Sequence, residues 1–232
     1  MQKELKTKWR QYEETIIRVC VSWYLRYPLS YRDLAEMMEE RGLKPDHSTL
    51  WHWVKRYSTV LAKIVRRKAK RPNGSWRVDE TYVKVRGKWR YLYRSVDSQG
   101  NTVDFWLSSK RDIQAAKRFF KRAFRTTKQI PETITTDKNA SYSPAIEELK
   151  KEGFLPNSAV HRTNKYLNNR IEQDHRRIKR VLKGKGPFQS FRSAWRVLQG
   201  IEAFALFRKK QVPHSLFSDI THGSSFAQIL AN

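Results

Sequence analysis

The stretch that most restricts the fold lies between residues 75 and 109. "SWRVDETYVKV", "KWRYLYRSVD" and "NTVDFWLSS" are crowded with β-branched and aromatic side chains, with "RG" and "SQG" between them. They read as the three strands of an antiparallel meander. Just upstream, "KAKRPNGS" (68–75) is a basic Pro/Gly/Asn/Ser stretch of the kind that separates domains.

Before that stretch the apolar period is helical. Residues 13–26 carry apolar side chains at helical intervals, and Pro28 ends the element. Ser30 is positioned as N-cap of "YRDLAEMMEERG", with Asp33 three residues on and Gly42 as the stop. "LKPDHS" then leads into "TLWHWVKRYSTVLAKIVRRK", with Asp46 as its cap. Helix, short turn and helix, with a supporting helix in front, fit a helix-turn-helix. Leu50, Val54, Tyr57 and Leu61 are expected to face inward, leaving Ser48, Thr49, His52, Lys55 and Arg56 for a DNA groove. A plain helical bundle with solvated charges is the alternative.

After the meander, Asp112 caps a helix to about Arg125, with Ile113, Ala116, Phe120 and Phe124 inward. "ETITTD" is a short fourth strand, "SPAIEELKKEG" a helix stopping at Gly153, and "SAVHRT" a candidate fifth strand. Helices are expected around 168–183 and 190–210. Three strands, helix, strand, helix, strand, helix is the order of an RNase H-like fold. The expected class is therefore α/β (α+β): an RNase H-like mixed sheet with flanking helices, preceded by an all-α helix-turn-helix domain. The expected division is 1–70 for the helix-turn-helix domain, able to fold alone, 71–212 for the RNase H-like domain, and 213–232 for a tail without an assigned role.

The chain has 232 residues and a net charge of +26, and its 39% hydrophobic content supplies a real core. The charge is spread over every part of the chain, which points to a polyanion, most simply nucleic acid. No apolar run approaches the ~20 residues of a membrane span, and "MQKELKTKWRQYEET" lacks the apolar stretch of a secretory signal. The single cysteine, Cys20, excludes an internal disulfide and fits a reducing cytoplasm. Its helical spacing with Ile16, Ile17, Trp23 and Tyr24 makes it a core residue. Paired cysteines, HExxH and GxxxxGK[ST] are absent, so structural zinc and P-loop chemistry have no support.

Three acids stand out. Asp79 lies mid-strand, where aspartate is disfavoured, and Glu80 beside it faces the other side of the pleat. Asp137 closes the fourth strand, which neighbours the first in an RNase H-like sheet. Glu172 sits in "RIEQDHRRIKRVLKGKG", on one helical face with Arg176 and Lys179. A solvated i,i+4 ion pair with Arg176 is its bland reading. Three buried carboxylates together would repel and raise one another's pKa values, a penalty that divalent cations such as Mg²⁺ remove.

"WRVDETYVKVRGKWRYLYRSVDSQGNTVDFWLSS", "TITTDKNASY" and "KYLNNRIEQDHRRIKR" resemble the catalytic blocks of DDE transposases of bacterial insertion sequences, most closely the insertion-sequence-six family, small one-gene elements that form cointegrates. The resemblance covers about residues 13–210, and the 34 residues between Asp137 and Glu172 match its spacing. It implies that Asp79, Asp137 and Glu172 are the catalytic metal ligands for two Mg²⁺ ions, with Mn²⁺ a possible substitute. It also implies that Lys179 is the basic position that holds a phosphate, and Arg176 belongs with the DNA contacts. Metal-activated water would cut a strand, and the freed 3′-OH would attack target DNA without a covalent protein intermediate. The partners implied are double-stranded DNA, as terminal inverted repeats and target, and a second copy of the chain or more, in the bacterial cytoplasm at the nucleoid. A non-catalytic DNA-binding regulator and an RNase H-like nuclease that cuts without joining are the rival readings. Among the other polar residues, Asp97 reads as a turn residue, Asp104 as structural, and Asp174 as a helix-surface group or one supporting the site. His175 is a candidate for steering Glu172 or a phosphate. Asn168 and Asn169 read as helix caps, and Lys183 and Lys185 as surface cations.

Overall fold

The structure, a computed structural model, describes residues 12–163 and 169–216. The chain divides into two compact units. One comprises Lys70–Lys179 with Pro187–Phe191. The other comprises the residues up to Ala69 with Arg180–Gly186 and those from Arg192 onward.

The helical unit begins with α1 (Glu14–Arg26), α2 (Tyr31–Glu39) and α3 (His47–Lys68). Ser30 and Asp33 form a reciprocal capping box on α2, with bonds of 2.9 and 3.1 Å. Asp46 accepts from the Ser48 amide at 2.7 Å and caps α3. Both α1 and α2 pack on α3. Leu50, Val54 and Leu61 are buried as expected, but Tyr57 is only half-buried, and Trp53, Ser58 and Val65 take the remaining core positions. Cys20 is buried and reduced.

Helix α7 (Phe191–Arg208) belongs almost wholly to this unit, whereas the sequence reading assigned it to the sheet domain. The reason is a close helix approach. A Cβ at Gly200 would meet Leu25 of α1 at 2.7 Å and the Ser58 hydroxyl of α3 at 2.9 Å, so only glycine fits there. Residues 1–70 alone would therefore leave part of the buried surface of α1 and α3 uncovered. Lys185 is likewise no surface cation. Its ammonium donates to the carbonyls of Tyr24 in the last turn of α1 and of Tyr27 and Leu29 just past it, and it lies 3.7 Å from the centre of the Tyr24 ring.

In the other unit the chain runs β1 (Ser75–Val85), β2 (Lys88–Asp97), β3 (Thr102–Ser108), α4 (Ile113–Thr127), β4 (Thr133–Thr136), α5 (Tyr142–Lys151), β5 (Val160–Thr163) and α6 (Asn169–Lys183), whose last turn enters the helical unit. The sheet order is β3-β2-β1-β4-β5. The meander is antiparallel, and β4 joins β1, and β5 joins β4, in parallel. This is the RNase H-like mixed sheet. Asp112 caps α4 through the Ala115 amide at 2.7 Å.

Trp76, Val78, Tyr93 and Ile134 form one face of the core, and Phe119, Phe120, Tyr142 and Ile146 of α4 and α5 cover it. Ala115, Phe119 and Ala123 join the expected inward stripe of α4, while Ile113 is only partly buried. Along β1 the buried side changes at Glu80–Thr81, although the pairing with β2 continues without a break. The helices, not the strand, set which side is covered. The opposite face of the sheet carries Asp79 and Arg94, directly paired across β1 and β2.

Candidate active site

β1 and β4 run side by side, with Val78 paired to Thr136 as the last rung of the ladder. Asp79 and Asp137 are each one residue further on, so both lie where the two strands diverge. Asp137 caps its own loop, accepting from the Asn139 amide at 3.0 Å. Asp79 accepts one bond, from the Glu80 amide at 2.9 Å. Glu172 lies in the first turn of α6, exposed, where the helix dipole favours an acid.

Electrostatics ties the three together. Burial pushes the Asp79 carboxyl up to about 7, reinforced by the negative charges of Glu80, Asp137 and Glu172. Carboxylate oxygens are the ligands that hard divalent cations take, and surplus negative charge is what such an ion removes. In chemistry and in charge the three residues fit a metal. Among the described residues, however, no group of three His, Cys, Asp or Glu side chains is drawn together tightly enough to hold an ion.

α6 is held against β2 by a buried ion pair whose partner the sequence did not disclose, and it brings His175 beside Asp79. Of the two readings of Asp174 the supporting one fits: it is buried and pairs at 3.1 Å with Arg94, which is 1% exposed. The next residue, His175, turns its Nδ1 toward Asp79 Oδ2 at 3.6 Å, beyond hydrogen-bond range, and so faces Asp79 instead of Glu172. Burial, helped by the charges of Arg94 and Lys179, pushes His175 down to about 3, leaving the imidazole neutral. A neutral ring offers Asp79 no compensating cation. Arg77 lies two residues before Asp79 on the same side of the strand, and its guanidinium feels the charge of Arg170 on α6.

Glu80, one residue on, has the opposite fate. It is 7% exposed on the far side of the sheet. Arg111 and the Tyr142 hydroxyl each donate to it at 2.5 Å, and the Asn139 amide group donates at 3.1 Å. Asn139 thus links Glu80 to the Asp137 loop. Sequence reasoning missed this cluster because its members are 31 to 62 residues apart. The signal available was a second acid at a buried strand position.

Arg176 and Lys179 are exposed on α6, as are Ser48, His52 and Arg56 on α3, while Thr49 and Lys55 are half-buried. The Lys55 ammonium lies 4.4 Å from the centre of the Trp51 ring. Asp97 is a buried turn residue that accepts from the amides of Asn73, Gln99 and Asn101. Asp104 is buried and pairs with Arg122 at 3.2 Å. Asn168 and the side chain of Asn169 lie outside the described residues, as does most of 213–232.

A family model described as a DDE domain matches residues 73–211. The chain is 42% identical over 205 residues to the transposase for insertion sequence-like element IS431mec of Staphylococcus aureus, covering 88% of this chain and 89% of that one. The transposase for insertion sequence element IS257 in transposon Tn4003, also from Staphylococcus aureus, gives the same identity and coverage. Among solved structures, the HTLV-2 integrase catalytic core in complex with magnesium aligns with a TM-score of 0.38 and 20% identity, covering 46% of this chain and 68% of that one. The fold assignment rests on strand order, not on that likeness. A family match over most of the chain and relatives aligned over nearly its whole length leave one conclusion: the chain belongs to the DDE transposases of bacterial insertion sequences, in the insertion-sequence-six family.

Proposed function

We propose that this transposase binds the terminal inverted repeats of its own element and joins their strands to target DNA at a site built on Asp79, Asp137 and Glu172. The observation that supports it most directly is the charge imbalance at Asp79, whose carboxyl is pushed up to about 7 by burial and by the negative charges of Glu80, Asp137 and Glu172. Asp79, Asp137 and Glu172 would hold two Mg²⁺ ions, with Mn²⁺ able to substitute. Such ions supply charge neutralisation and polarisation of the attacking and leaving oxygens at phosphorus.

The protein's own residues have separate tasks. Lys179 lies seven residues beyond Glu172, nearly two helical turns along the same face, and holds a phosphate of the element end there. Arg176 adds a second phosphate contact. The Arg94–Asp174 pair fixes α6, and with it Glu172, against β2, which pairs with the strand that carries Asp79. His175, neutral and buried, excludes water beside Asp79. On α3, Ser48, Thr49, His52, Lys55 and Arg56 read the terminal repeats. Two ends must be processed together, so the working form is a dimer or larger.

The deciding experiment is a strand-transfer assay with the element's own ends, Mg²⁺ and a plasmid target. Joined products are expected. End binding without cleavage would make the protein a regulator, and cleavage without joining would make it a nuclease. Lys55→Ala and Arg56→Ala should weaken end binding and reduce the slope of log affinity against log salt by about one each if the contacts are to phosphate. Unchanged slopes would remove α3 from the interface.

A further inference from the structure

Asp79 and Asp137 stand where sheet pairing no longer fixes their distance. Val78–Thr136 is the last rung of the β1–β4 ladder, and each aspartate lies one residue beyond it. Their negative charges oppose each other there, and the Asp79 carboxyl responds to that of Asp137. Left to the diverging strands alone, two such carboxylates would spread apart. A backbone amide donates to each of them. The Glu80 amide reaches Asp79 Oδ1 at 2.9 Å, and the Asn139 amide reaches Asp137 Oδ1 at 3.0 Å. The two residues that supply these amides are bonded to each other, because Asn139 Nδ2 donates to Glu80 Oε1 at 3.1 Å. Both ends of that bond are anchored in turn. Asn139 Oδ1 accepts from the amide and the hydroxyl of Ser141, just before α5, at 3.0 and 3.1 Å. Glu80 is held by Arg111 and by the Tyr142 hydroxyl.

The contacts therefore run in one line, from Asp79 to the Glu80 amide, from the Glu80 side chain to that of Asn139, and from the Asn139 amide to Asp137. We propose that the Glu80–Asn139 bond is a crossbar that sets the separation of Asp79 and Asp137, which makes Asn139 a positioning residue for the transposition reaction. An amide group donating to a carboxylate forms a charge-assisted bond, stronger than a bond between neutral groups. The crossbar acts from behind the site. Glu80 is 7% exposed on the α4–α5 side of the sheet, whereas Asp79 faces α6, so its effect passes through the two acids and not onto the reacting atoms. Metal ions that share carboxylate ligands need those ligands at a fixed distance, and groups that orient the ligands carry part of the affinity. A bond that merely stabilises the Asp137 loop is the competing account, and it predicts lost stability with unchanged metal affinity. The inference rests on the reading of Asp79 and Asp137 as metal ligands.

The test uses the full chain and Mg²⁺ alone, read as the rise in unfolding temperature with metal concentration. Strand-transfer rate over the same Mg²⁺ range is the second readout. Asn139→Ala removes the crossbar and leaves the backbone amide on Asp137. It should raise the half-saturating Mg²⁺ concentration about tenfold in both readouts, and excess Mg²⁺ should restore most of the joining rate. Asn139→Ser keeps a hydroxyl for Ser141 but is too short to reach Glu80, and it should behave alike even if Asn139→Ala does not fold. Glu80→Ala should show the same rise, and Glu80→Gln, whose amide oxygen still accepts from Asn139, should recover most of it. Tyr142→Phe removes a different bond to Glu80, so it should lower stability without moving the Mg²⁺ midpoint. An unchanged midpoint in the folded Asn139 variants, or an equal rise in Tyr142→Phe, overturns the proposal. A Mg²⁺ response that survives Asp137→Ala would instead sink the reading of Asp137 as a metal ligand, and this proposal with it.

Discussion

Asp79 and Glu80 are consecutive carboxylates on one strand, and they sit in opposite circumstances. Glu80 faces the α4–α5 layer, where Arg111, Asn139 and Tyr142 satisfy it. Asp79 faces α6, where its side chain accepts one backbone bond and its imidazole neighbour is neutral. The same residue class thus serves as a cross-brace on one side of the sheet and as an unneutralised charge on the other. A buried acid with three donors contributes to stability, and one with surplus like charge lowers it. The second kind is the one that a cation can use, and the proposed metal role falls on that side of the strand.

The largest expected effect tests the Asp79 side. Asp79→Ala, Asp137→Ala and Glu172→Ala should each cut strand transfer by ~1,000-fold or more while end affinity stays near normal. Near-normal joining by any of the three would remove that residue from the site.

Next comes Lys179→Ala, for which misplacement of the scissile phosphate should cost ~100-fold in joining rate at saturating DNA. Lys183, exposed near the end of the same helix, is the proper comparison, and Lys183→Ala should have little effect. Lys185 cannot serve, since its ammonium is occupied by three carbonyls and the Tyr24 ring. Equal modest losses at Lys179 and Lys183 would make Lys179 one more surface charge.

The Glu80 side should respond in stability first. Glu80→Gln is expected to lower unfolding free energy by about 1–3 kcal/mol, because Arg111 loses its anion and the Tyr142 hydroxyl loses its charged acceptor. In metal-free protein at pH 8, Asp79→Asn should instead raise the urea midpoint. Midpoints that shift in the same direction for both variants would erase the contrast.

The smallest effect is a pH slope. The folded Asp79 carboxyl keeps its proton up to about 7, whereas an unfolded aspartate releases it near 3.8. Between those values the native state binds the extra proton, so metal-free protein should lose stability as pH rises from about 4 to about 7. The slope should flatten in Asp79→Asn, and Mg²⁺ at pH 8 should stabilise the parent chain more than the variant. A slope identical in the two proteins would show that Asp79 titrates normally.

The sequence by itself determined the elements and their order. Caps at Ser30, Asp46 and Asp112 are local chemistry between residues two or three apart, and turn residues bound the meander strands. The three acids proposed as metal ligands were singled out by sequence too, because two stand in or beside strands and the third lies at the distance that the family resemblance implies. What only the tertiary structure decided is which surfaces meet. The Arg94–Asp174 pair joins residues 80 apart in the chain. Glu80 gains its partners from the link before α4, the loop after β4 and the first residue of α5. α7 joins the N-terminal helices because Gly200 admits Leu25 and Ser58, a fit that no periodicity records. Local hydrogen bonds and hydrophobic period are written into neighbouring residues, but burial and charge compensation depend on distant ones, and those exist only once the chain has folded.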